Sequence, residues 1–281
     1  MPEFFLISAI LFAAFLHALW NFILRDSNDK LLSMTAVVLG HFPLAIIGII
    51  TFGLPNFNGV YYILVSSLLH VFYQIFLLNA YKYGELSEVY PIARGLSPLI
   101  IILVSYFFLN EEVSFYEILG IILISFSLII YGLKQLLNNK SSLKGFILAV
   151  ITGFFIASYS IVDGYGARVT QNPVGFFSVM TLINVLIFYL FAQFNDKHII
   201  KKIIDNGKRS FFVGGAASFL AYGIVVWACL YLPIAVVSSI RETSILFAIL
   251  LGFFFLKERI NLIKAFLIFG LLFGLLFLRL G

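Results

Sequence analysis

With one cysteine, Cys229, among 281 residues, no disulfide can form within the chain. No Cys/His group has metal-ligand spacing either. Charge is scarce, since Asp, Glu, Lys and Arg make up only 11% of the residues. No glycine-rich nucleotide-binding loop occurs, which excludes transport driven by a nucleotide bound to this chain. No nucleophile–base pair can be picked out, so no catalytic residue, cofactor or metal is expected, and a membrane-embedded enzyme lacks its chemistry. The formal charge of +5 falls almost entirely between apolar runs. It therefore reports membrane orientation and not affinity for nucleic acid.

What the chain has in abundance is apolar surface. Hydrophobic residues make up 62%, with 33 Phe and 14 Tyr, and the mean hydropathy is +1.08. A soluble domain of this size could not bury so much, and runs of about 20 apolar residues recur along the whole chain. Punctuation by Pro, Gly, Asn and charge divides it into ten spans, near 4–24, 31–53, 60–82, 88–109, 115–134, 143–165, 174–194, 210–230, 234–256 and 261–279. Continuous runs exclude a β-barrel, whose strands are short and alternating. The expectation is an all-α integral membrane protein with ten transmembrane helices. Its first run opens with MPEFF, lacks a basic n-region and reads as a retained helix.

Fourteen lysines and arginines fall in the loops after spans 1, 3, 5, 7 and 9, whereas only Arg168 and Arg279 fall on the other side. The positive-inside rule then places both termini outside, in a multi-pass protein of a bacterial cytoplasmic (inner) membrane. Two arginines, Arg94 and Arg241, are left inside spans. A charge within a bilayer-length segment costs several kcal/mol, so each is expected to face a protein interior or a water-filled pathway.

Those two arginines mark an internal repeat. A constant offset of 147 positions carries Arg94 onto Arg241, Ser97 onto Ser244, Phe107 and Phe108 onto Phe254 and Phe255, and Glu111 onto Glu258. Span 1 matches span 6 as well, with His17 over Tyr159 and Asn21 over Asp163. One repeat covers 1–137 (helices 1–5) and the other 138–281 (helices 6–10). Because five is odd, the second copy enters the membrane from the opposite side, giving two inverted five-helix repeats with a site near the midplane.

HALWN in span 1, YPIARGLSPL in span 4, and RETS followed by LKE in span 9 resemble the EamA-type members of the drug/metabolite transporter superfamily. The resemblance covers nearly the whole chain. It implies a secondary active transporter moving a small zwitterionic or anionic, amino-acid-like metabolite by alternating access, with export favoured over import. The alternatives are an importer or exchanger for a small organic anion or phosphonate, or a broad drug exporter. YPIARG together with RETS also resembles a subgroup associated with phosphonate utilisation.

Arg94 is the prime candidate for substrate binding. Tyr90 and Ser97 lie on its helical face and Pro91 and Pro98 flank it, freeing carbonyls that can line a cavity. A guanidinium offers a planar fork of donors to a carboxylate or phospho group. The alternative is a permanent ion pair with Glu242 or Asp163. Arg241 and Ser244 are the matching candidates in span 9. On a regular helix the adjacent Arg241 and Glu242 diverge by about 100° and make poor partners. Glu242, which can take up and release a proton, is a coupling candidate unless it only neutralises an arginine. His17 and Asp163 are further coupling candidates, with protons as the coupling ion. Asp163, followed by Gly164, Gly166 and Arg168, is expected near the membrane surface, capping or pairing locally. Asn21, Trp20, Gln74, Asn79 and Tyr222 complete the substrate-binding set as amides and aromatics of an amphipathic pocket. Trp227 fits an interfacial belt better, and Glu111 and Glu258 read as helix-end charges or structural contacts. The expected partners are the lipid bilayer and a small-molecule substrate, with no nucleic acid, in a monomer or homodimer. A scaffold function is disfavoured because a scaffold has little use for two costly buried arginines.

Overall fold

The computed structural model describes residues 3–84, 86–139, 142–257 and 260–281. Ten segments are long and apolar enough to cross a membrane, and no strand occurs among the described residues. They are built from α1 (Glu3–Asp26), α2 (Lys30–Phe52), α3 (Val60–Ala80), α4 (Leu86–Val104), α5 (Phe115–Asn139), α6 (Leu143–Thr170), α7 (Pro173–Asn195), α8 (Ile199–Asn206), α9 (Gly215–Ala228), α10 (Ile234–Arg241), α11 (Ser244–Leu256) and α12 (Leu262–Leu280). Polar residues between the runs start these helices by accepting bonds from orphan backbone N–H groups. Asp29 caps α2 through Leu32 N, Asn172 caps α7 through Gly175 N with Pro173 behind it, and Asn261 caps α12 through Lys264 N. Ser114 and Glu117 form a reciprocal capping box at the start of α5.

Two features depart from ten simple spans. Span 9 is two helices, because α10 stops at Arg241 and α11 begins at Ser244. The loop after α7 contains the short α8, whose Ile199 and Ile203 pack with Leu32, Ala36 and Ala192 while its lysines stay exposed. Sequence periodicity cannot easily show so short an element, since two apolar turns are indistinguishable from a loop.

The repeat is written in the backbone. Asn110 and Lys257, again 147 positions apart, both adopt left-handed conformations with φ of 50° and 55°. Each closes its helix by donating its N–H five residues back, Asn110 to Ser105 O and Lys257 to Gly252 O. The matched rings Phe107, Phe108, Phe254 and Phe255 are all exposed, as lipid-facing side chains should be. Glu258 and Arg259 lie outside the described residues. Glu111 accepts from Ile234 N at the start of α10 (3.2 Å), so it is a structural contact.

The chain forms two compact units, one comprising Met1–Val71 and Val162–Tyr231, the other Phe72–Ile161 and Leu232–Gly281. Each draws on both halves of the sequence, and the divisions fall inside α3 and α6. In the first unit α2 packs on α7 and α9, and α1 on α9. Its core holds Ala45, Ile63, Ala167, Phe176, Phe177, Met180, Phe219 and Val226. In the second, α5 packs on α4 and α12, and α10 on α4 and α5.

Small residues allow these approaches, as expected where lipid and side chain are equally apolar and packing decides association. Gly120 of α5 and Gly274 of α12 face each other. A Cβ on Gly40 of α2 would lie 2.1 Å from Phe211 O and 3.0 Å from Gly215 Cα, both backbone atoms that cannot swing away. Gly40→Ala is therefore expected to destabilise the protein by about 1–3 kcal/mol, the usual cost of overpacking. Thermal unfolding in detergent checks this, and an unchanged midpoint would remove Gly40 from the packing account.

Candidate functional site

The second unit buries two arginines and a glutamate at the break in span 9. Arg94 is 2% exposed, Arg241 1% and Glu242 0%, so their charges are wholly withdrawn from solvent. Pairing offsets part of that cost. Arg94 Nε lies 2.6 Å from Glu242 Oε2, and Arg241 Nη2 lies 3.6 Å from Oε1.

Local sequence explains where span 9 breaks. Four backbone N–H groups around the break bond three residues back instead of four: Glu242 to Ser239 O, Thr243 to Ile240 O, Ile245 to Glu242 O and Leu246 to Thr243 O. The Thr243 hydroxyl also donates to Ile240 O (2.7 Å), competing for a carbonyl that a regular helix would use. The 100° divergence expected for Arg241 and Glu242 presumed an unbroken helix. At the break the turn is tighter and the divergence no smaller, so the two long side chains meet by reaching round the helix, with Arg241 Nη2 3.6 Å from Glu242 Oε1. On the other repeat, α4 carries Arg94 through Pro91 and Pro98 without breaking.

Around this trio are groups that suit a polar ligand. The Tyr90 ring lies 5.5 Å from the Arg94 guanidinium carbon, within cation–π range. Tyr73 and Tyr81 lie within electrostatic reach of Arg94, and Tyr73 meets Tyr159 edge to face (5.4 Å). Ser97 and Ser244 are buried at matching repeat positions. Among the described residues, Arg94 Nη2, Ser97 Oγ, Ser244 Oγ and Tyr81 OH are buried without a hydrogen-bond partner. Arg94 Nε meets Glu242 at close range, but its N–H is not aimed at the oxygen. Such groups are normally satisfied in a folded protein, and a ligand would satisfy them. Gln74 of the sequence expectation lies in this unit and is buried. Tyr81 was not singled out, although its place at the end of span 3, directly after α3, marks it as a ring at a helix end. Asn79 is engaged elsewhere: its amide donates to Ile75 O (2.9 Å) and its oxygen accepts from Lys82 (3.1 Å).

The first unit holds a second polar cluster. His17, Trp20 and Asn21 are buried on α1. Trp20 Nε1 donates to His17 Nδ1 (3.3 Å), and the Asn21 amide donates to His17 O (2.8 Å). Asp163 corrects its expectation. It is 1% exposed and neither caps α6 nor pairs with Arg168, because α6 runs on to Thr170. Gly166 serves close packing, with any Cβ there 2.6 Å from the Phe176 ring, and does not end the helix. Arg168 instead donates to Cys229 O (2.7 Å). Asp163 accepts from the Ser66 hydroxyl on Oδ1 and from Tyr222 OH on Oδ2 (2.6 Å), with His70 Nε2 2.9 Å from the same Oδ2. Sequence reasoning passed over His70. The signal was present: an ionisable residue within span 3, one helical turn after Ser66. Trp227 packs edge-on against Phe5 (6.3 Å) and Tyr231 (5.5 Å), in keeping with a belt residue.

Ten membrane-length helices in two five-helix repeats, with intramembrane charges at a broken helix, define the class as a multi-pass membrane transporter. The description of the EamA-like transporter family matches residues 2–133 and 143–280, and this chain belongs to that family. No curated protein matches it. A protein of known crystal structure shares the fold, with a TM-score of 0.70 at 16% identity over 97% of this chain and 98% of that one.

Proposed function

We propose that this chain is a secondary active transporter for a small anionic or zwitterionic, amino-acid-like metabolite, with the substrate's acidic group bound at Arg94. One observation carries the reading: Arg94 Nη2, buried beside the break in span 9, has no hydrogen-bond partner among the described residues. A carboxylate or phosphonate bound there would accept from the guanidinium fork and from the Ser97 and Ser244 hydroxyls. Arg241 and Tyr90 would shape the same pocket, with Tyr73 and Tyr81 as its aromatic wall. Arg94 and Arg241 come from opposite repeats, so rocking of one repeat against the other would open the site to each side in turn. Glu242 would act as the resident counter-ion, holding Arg94 while the site is empty. The excess of loop lysines and arginines supports a cytoplasmic membrane with both termini outside.

The test is a counterflow screen in proteoliposomes with radiolabelled L-amino acids, dicarboxylates and methylphosphonate, each beside its neutral ester or amide. Counterflow of acidic probes and indifference to the neutral analogues are expected. Preference for neutral or cationic compounds would overturn the reading and leave the broad drug exporter. Loading the label on one side and then the other reads the direction of net movement, for which the family resemblance favours export.

A further inference from the structure

Asp163 collects three hydrogen-bonding groups from two other helices, and the substrate reading uses none of them. Its Oδ1 accepts from Ser66 of α3, while Oδ2 is shared by His70 of α3 and Tyr222 of α9. The His70 and Tyr222 rings also meet edge to face, 5.3 Å apart. Beyond His70, the His41 imidazole of α2 is within electrostatic reach; its Nε2 is buried without a hydrogen-bond partner among the described residues. α7 contributes the Phe177 ring, which packs against Tyr222 at 5.5 Å. On α6 itself the next charged residue, Arg168, is committed to Cys229 O. Among the described residues, the titratable groups bonded to Asp163 are His70 and Tyr222, with His41 within electrostatic reach of His70.

An intramembrane carboxylate is costly to keep, and a histidine at hydrogen-bond distance can hand it a proton or take one away. We propose that the His70–Asp163 pair is a proton-binding site and that its protonation couples proton movement to transport. This rests on reading the chain as an ion-driven carrier, and it names the ion and the residues that bind it. The step moves one proton and no electrons: the proton passes between His70 Nε2 and Asp163 Oδ2. As a carboxylate, Asp163 can only accept, so three donors fit it at once. When the proton passes from His70 Nε2 to Oδ2, Nε2 becomes the acceptor of that hydrogen and the now neutral carboxyl holds the Ser66 and Tyr222 hydroxyls more weakly. The tie between α3, α6 and α9 then loosens.

Two measurements test this. The first needs no substrate: infrared difference spectra of the protein in vesicles, taken across an acidification series. Wild type should gain the C=O stretch of a protonated carboxyl on acidification, and Asp163→Asn should lose that band. Glu242→Gln should keep it. The second is accumulation of an acidic probe under an imposed pH gradient. Asp163→Asn should fall to the level seen without a gradient while counterflow of the same probe persists. Should Asp163→Asn not fold, His70→Gln carries the test, because an amide can donate to Asp163 but cannot relay a proton; it should shift the band and lose gradient-driven accumulation. A band that survives Asp163→Asn, or vanishes in Glu242→Gln, overturns the proposal, as does undiminished accumulation in Asp163→Asn. If wild type moves no acidic probe, the substrate reading fails, and the infrared result still decides the proton site.

Discussion

Arg94→Met is expected to lose binding of an acidic substrate by about a hundredfold or more, with Arg94→Lys falling between it and wild type. Hydrogen bonds to charged groups contribute about 1.5–3 kcal/mol each, and a bidentate carboxylate receives two of them. Lysine keeps the charge but loses the planar fork, whereas methionine loses both and keeps only the bulk. The loss must follow the charge of the ligand, so a neutral ester or amide should respond little. Arg241, 3.6 Å from Glu242, should show the same order with an equal or smaller effect. Removing Arg94 also strips Glu242 of its nearest cation, so every variant needs a melting midpoint beside its affinity. Binding to purified protein in detergent, measured with an acidic probe that shows counterflow, decides the matter. Normal affinity in folded Arg94→Met would make the arginine purely structural.

Glu242→Gln should destabilise the empty protein by about 3–5 kcal/mol, because deleting one member of a buried pair leaves the other charge uncompensated. Two guanidiniums then face each other across an amide. An oxyanion that enters the site replaces the lost carboxylate, so glutamate or phosphate should raise the melting midpoint of the variant more than that of wild type. Saturation at a hundred times the dissociation constant would return about 2.7 kcal/mol. The measurement is thermal unfolding across an anion series at constant ionic strength. A midpoint equal to wild type, or one indifferent to the anion, would show that Glu242 is not the counter-ion of this site. Glutamine nearly preserves the shape of glutamate, so packing is not the variable under test.

The two sites also divide the transport chemistry in a way that single variants can separate. On the proposed reading, Glu242 and Arg94 concern what is bound, and Asp163 and His70 concern what drives it. Loss of affinity without loss of proton binding should follow from Arg94→Met, and the reverse from Asp163→Asn.

Composition and the length of the apolar runs determined the membrane class and the ten spans, because bilayer thickness sets a length that a linear sequence displays directly. The 147-residue offset was equally legible: it reappears as paired buried arginines and paired left-handed residues at Asn110 and Lys257. What escaped the sequence depends on contacts between distant segments or on backbone detail. The break at Glu242–Thr243 follows from a tightened turn and a threonine back-bond, neither of which alters apolar periodicity. Asp163 was misplaced because the glycines after it look like a helix end, whereas tertiary packing against Phe176 uses Gly166 inside the helix. His70 gained meaning only when α3, α6 and α9 met, since nothing along the chain links positions 70, 163 and 222. Hydropathy is a local property of the chain, and the pairing of buried polar groups belongs to the folded packing.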